Sequence, residues 1–105
     1  MGYKPTVVFD LDGVIHSYVS GWQGVDVIPD PPVPLIQEEI ERIRKAGYKV
    51  VVVSTRCADP AGMEAVKNYL DANGIVVDGR FAPGDMTAID ADTIVQFALF
   101  GEERY

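Results

Sequence analysis

Two unbroken apolar runs stand out along the chain, Thr6 to Leu11 (TVVFDL) and Lys49 to Ser54 (KVVVVS). Neither shows the alternation of a half-exposed strand. Each therefore reads as a strand buried on both faces, as in a parallel sheet flanked by helices. Between them, Leu35 to Ala46 carries Ile36, Ile40 and Ile43 at helical spacing and stops at Gly47, which predicts an amphipathic helix. Asp59-Pro60 supplies an N-cap and first-turn pair, and the helix it opens places Met63, Val66 and Leu70 on one face before ending near Gly74. Ile75-Val76-Val77 is the expected third strand.

Strand, helix, strand, helix, strand is the order of an α/β domain, expected here as a single three-layer Rossmann-like parallel sheet over residues 1–105. Ligands of such sheets bind outside the carboxyl ends of the strands. The segment from His16 to Pro34 is long for a strand-to-helix connection and reads as a short flap, with no cap domain inserted. Its Tyr18 and Trp22 either cover the site or close a core edge.

Composition narrows the function classes. At 105 residues and 48% hydrophobic content, the chain supports one core without staples. Its one cysteine, Cys57, excludes an internal disulfide and fits a reducing cytoplasm, and it reads as inert packing. The apolar stretch near the N-terminus is too short for a signal peptide, and no apolar run approaches the roughly 20 residues of a membrane span. The net charge of −7 argues against a sequence-independent grip on nucleic acid, leaving a phosphorylated end as the form in which one would enter.

Asp10 and Asp12 lie where the first strand ends. At about 4 Å and an effective dielectric near 20, such a like-charged pair costs roughly 4 kcal/mol. A divalent cation removes that cost, and hard oxygen ligands favour Mg²⁺. An Asp-Gly turn with a solvated carboxylate accounts for the same residues, so the pair alone leaves both readings open.

In its wider setting, VVFDLDGV resembles the first motif of the haloacid dehalogenase (HAD) superfamily, an apolar strand followed by DxDG. VVVVSTR resembles the second motif, an apolar strand ending in Ser or Thr, and the helix and KAGY turn between the two fit the same family. GWQGVDVIPDPPVP followed by STR is most similar to small capless HAD-like proteins of phage and bacterial genomes. The resemblance is strong over residues 6 to 80.

It implies a Mg²⁺-dependent phosphohydrolase acting on a phosphorylated substrate. Asp10 would be the nucleophile that forms an aspartyl-phosphate, and Asp12 the acid and base. That role asks Asp12 to carry a proton, which repulsion from Asp10 favours. Gly13 would let the backbone turn near the ligand, and Ser54, with Thr55 and Arg56 behind it, would bind the phosphoryl group. Mg²⁺ would rest on the Asp10 carboxylate, the Asp12 carbonyl and a later acidic residue.

For that last position, AIDADTIVQF (88 to 97) resembles the family's final motif, a strand ending in paired aspartates, and nominates Asp90 and Asp92. Gly84-Asp85 with Asp90 is the rival form. The chain departs from the family at the third motif, whose lysine belongs near residues 80 to 86. RFAPGDM holds none, and Arg80 or Arg56 are the cations that could stand in.

The departure motivates a second function class, a HAD-like protein that binds metal or phosphate in a regulatory role without turnover. A phospho-acceptor receiver domain fits less well, since its acceptor Asp belongs where Ser54 stands. An open site suits a large substrate, or a homo-oligomer whose second copy closes it over a small one. His16, the sole histidine, is read as a hydrogen-bonded loop residue ahead of a substrate contact.

Overall fold

The computed structural model describes residues 6–88 and 94–96. Strand β1 (Thr6–Asp10) leads through the long loop to helix α1 (Ile36–Lys45) and strand β2 (Lys49–Val53). A 3-10 turn (Thr55–Ala58) precedes helix α2 (Pro60–Ala72), strand β3 (Gly79–Phe81), a second 3-10 turn (Pro83–Ala88) and strand β4 (Ile94–Gln96). All pairings are parallel, in the order β3-β2-β1-β4. The parallel α/β expectation is met.

The valine runs form the centre of the sheet. Val7, Phe9, Val50 and Val52 point to one face and are buried beneath Ile36, Ile40 and Ile43 of α1 and Val66 and Leu70 of α2. Val8, Val51 and Val53 form the opposite face with Phe81 against them. Both described helices thus cover the same face, and among the described residues no helix covers the other, so the expected third layer is not seen there. Helix α2 starts as its sequence dictates: the Asp59 carboxylate accepts from the Ala61 amide, and Pro60 spends no hydrogen bond in the first turn.

The third strand is displaced from the expected one. Ile75 to Val77 is not strand, and pairing with β2 begins at Gly79. Asp78 is the reason. Its amide donates to the Val50 carbonyl (2.7 Å) and its Oδ2 accepts from the Val50 amide (2.8 Å), so a side chain occupies the place of a ladder partner. Arg44 of α1 holds the same carboxylate (2.9 Å).

The strand order has a functional consequence. From β1 the chain moves outward to β2 and β3, and β4 then joins on the other side of β1. The carboxyl end of β1 is therefore a topological switch point, where a crevice opens in sheets of this kind. Among the described residues, no helix is long and apolar enough to cross a membrane.

Candidate active site

Asp10 ends β1 directly beside Val53, and Ser54 follows Val53, so the two proposed phosphate-handling residues sit on adjacent strand ends at the switch point. Asp10 Oδ1 accepts the Leu11 amide (2.9 Å). Ser54 is buried; its amide donates to the Phe81 carbonyl (3.0 Å) and its Oγ accepts from the Arg56 amide (3.1 Å). With that lone pair taken, the hydroxyl proton remains to donate outward.

After Asp10 the chain winds around one carbonyl oxygen. The amides of Val14, Ile15 and His16 all donate to Leu11 (3.2, 2.9 and 2.9 Å), and the Gly13 amide returns to the His16 carbonyl (2.7 Å). Gly13 has φ +88°, which a residue with a Cβ adopts only with strain. This winding brings His16 back to Asp12, with Nδ1 at 2.8 Å from Oδ1. The other carboxylate oxygen, Oδ2, accepts from Arg56 Nε at 3.0 Å.

Arg56 is wholly buried and is the hub of the long loop. Its Nη1 donates to the carbonyls of Gly24 (2.7 Å), Val25 (2.9 Å) and Val27 (3.1 Å), and the Trp22 ring lies 4.5 Å from its Cζ. Its Nη2 is buried without a hydrogen-bond partner among the described residues. The base of the loop is closed by Ser17 to Pro31 (3.0 Å) and Val33 to Ile15 (2.8 Å). The loop is thus pinned at its base and at its tip, with Trp22 half exposed above the arginine.

The structure brings Asp10, Asp12, Gly13, Ser54 and Arg56 to one end of the sheet, with Thr55 exposed at the start of the 3-10 turn. Arg56 meets Asp12 and the loop, so sequence expects a phosphate ligand where the structure shows a strut. Asp90 and Asp92 lie outside the described residues. Strand β4 runs from Ile94 to Gln96, after both of them, whereas the motif resemblance expects a strand to end there. Asp85 is exposed in the second 3-10 turn. Among the described residues no group of three acidic, His or Cys side chains forms a metal cluster. The oxygen donors that are described, the Asp10 carboxylate and the Asp12 carbonyl, suit Mg²⁺ in kind.

The described lysines lie elsewhere. Lys45 pairs with Glu41, Lys67 pairs with Asp71, and Lys49 begins β2 beside Thr6, at the opposite end of the strands from Asp10. Arg80 lies on β3 beside Val52 and has a buried Nε without a partner among the described residues. Burial pushes the Cys57 thiol up, with the charge of Arg80 opposing, which fits packing and not nucleophilic use. Sequence reasoning missed Asp30 and Tyr69. Asp30 is buried, its carboxylate held by the Ser20 amide (2.8 Å) and hydroxyl (2.6 Å), and the Tyr69 hydroxyl donates to its carbonyl (2.9 Å). Only long-range contacts reveal them.

No family model matches the chain, and no curated protein matches it. Among solved structures, D,D-heptose 1,7-bisphosphate phosphatase from Burkholderia Thailandensis is similar at 29% sequence identity and a TM-score of 0.57 over 89% of this chain. The chain spans 64% of that phosphatase's length.

Proposed function

We propose that this chain, HAD-like in its motifs and in its fold, hydrolyses phosphomonoesters through an aspartyl-phosphate. The observation that carries the reading is the placement of Asp10, Asp12 and Ser54 at the switch-point end of the sheet. The similarity to a named phosphatase supports it. A carboxylate oxygen of Asp10 attacks phosphorus and the ester P–O bond breaks; Asp12, an ionised partner of Arg56 in the resting site, takes up a proton from solvent as substrate binds and gives it to the departing oxygen. Water then attacks the phosphorus of the phosphoaspartate and yields a proton to Asp12, releasing inorganic phosphate and restoring Asp10. The Ser54 hydroxyl donates to a phosphoryl oxygen throughout. The Asp10 carboxylate and the Asp12 carbonyl would hold Mg²⁺, which would supply charge neutralisation between nucleophile and phosphate.

The test is phosphate release from p-nitrophenyl phosphate with Mg²⁺. Wild type should exceed Asp10→Asn by at least about 100-fold, a loss of roughly 2.7 kcal/mol or more in transition-state stabilisation, and chelation of the metal should remove the difference. Equal rates for the two proteins reject the reading.

One observation favours a second reading. RFAPGDM carries no lysine, and Arg56 is spent on Asp12 and three loop carbonyls. A protein so built binds Mg²⁺ and phosphate as a regulatory element without turnover. Calorimetric binding of both ligands to wild type, with no phosphate released, is its signature.

A further inference from the structure

His16 joins the loop to the site with none of its surface exposed, so it touches no substrate. Its two nitrogens meet different partners, Nδ1 at 2.8 Å from Asp12 Oδ1 and Nε2 at 3.1 Å from the Asp30 amide nitrogen, with Asp30 Oδ2 farther from Nε2 at 3.5 Å. A backbone N–H can only donate, so Nε2 accepts and the ring proton sits on Nδ1, aimed at Asp12; the network assigns this tautomer. Turning the ring over would set the Asp30 N–H against a ring C–H. The edges of Tyr18 and Tyr69 hold the ring plane, with centroids at 5.8 and 5.4 Å.

Asp30 is itself fixed, by the two Ser20 donors on its carboxylate and the Tyr69 hydroxyl on its carbonyl. Position therefore passes from the loop and α2, through Asp30 and His16, to one oxygen of Asp12. Arg56 holds the other oxygen.

We infer that His16 is a positioning residue for Asp12, setting the direction in which its carboxyl group faces the leaving oxygen. The inference rests on the phosphohydrolase reading. Misplacing a reacting group by about 1 Å costs on the order of 100-fold in rate.

Two substitutions separate the ring's two contacts. In His16→Asn the side-chain amide keeps a donor at the place of Nδ1. In His16→Gln the amide reaches the place of Nε2 and keeps the contact to Asp30 while abandoning Asp12. With p-nitrophenyl phosphate and Mg²⁺, His16→Gln should lose about 100-fold in kcat with KM changed less than about 3-fold, and His16→Asn should recover at least about 10-fold of that loss. Long-range ¹H–¹⁵N correlation spectra of the wild type should show a protonated Nδ1 and a bare Nε2. A proton on Nε2, or equal impairment of the two variants in step with their melting temperatures, overturns the inference alone. Wild type no faster than Asp10→Asn overturns it together with the phosphohydrolase reading.

Discussion

Arg56 has no exposed surface, yet its guanidinium carries a full charge into the protein. The Asp12 carboxylate balances that charge, and the carbonyls of residues 24, 25 and 27 satisfy Nη1. Removing one partner of a fully buried pair costs about 3–5 kcal/mol, and the partial exposure of Asp12 puts this pair at the lower end. Arg56→Met should therefore lower the free energy of urea unfolding by about 3 kcal/mol. Arg56→Lys should recover less than half, since a compact ammonium cannot span Asp12 and the loop carbonyls together. A second acidic residue answers to pH. The Ser20 hydroxyl holds the Asp30 carboxyl below the usual carboxylate range, against the opposing effect of burial. A depressed carboxyl contributes stability above its ordinary pKa of 3.8 and loses it as pH falls through the folded value. Emission from Trp22, the one tryptophan, should report loosening of the loop in that acid window. Ser20→Ala should move the midpoint of that change to higher pH.

At the scale of elements, α2 depends on a residue that helix propensity disfavours. Gly62 lies in its first turn, and a Cβ there would come within 2.1 Å of the Arg56 carbonyl oxygen and 2.9 Å of Val25 Cγ2. Gly62→Ala should gain up to ~1 kcal/mol in propensity and lose more to overpacking, for a net destabilisation of about 1–3 kcal/mol in chemical denaturation. The central strands and both helices were legible because their signals are local: four consecutive valines, isoleucines at helical spacing, an Asp-Pro start. Strand β3 was not, because Asp78 takes the Val50 amide with its side chain and shifts the start of pairing. The site divides in the same way. Asp10, Asp12 and Ser54 announce themselves within short motifs. The roles of Arg56 and His16 rest on partners 29 to 32 and 14 residues away in the chain, one set of them backbone carbonyls with no residue-type signature.

For the whole molecule, the long loop and the sheet form one unit through these contacts, so unfolding should be a single transition. Trp22 fluorescence and far-UV circular dichroism should give coincident urea curves for the wild type. In Arg56→Met the fluorescence change should come first, because the loop loses its tip anchor while the valine strands keep their helix cover. Coincident curves in the variant would mean that the base contacts alone couple loop and sheet. The net charge of −7 acts at this scale too, setting a repulsive field against polyanions around the site proposed to take a phosphate group.

The way Arg56 grips the loop also bears on how the sequence can diverge. Its contacts are to the carbonyls of residues 24, 25 and 27, which every amino acid possesses. The exposed side chains of Asp26 and Val27 are thus free to drift across generations without loosening the loop. The heaviest selective burden falls on position 56, where no other residue offers the same fork. Saturation mutagenesis should find tolerant positions at 26 and 27 answering to one intolerant codon about thirty positions away.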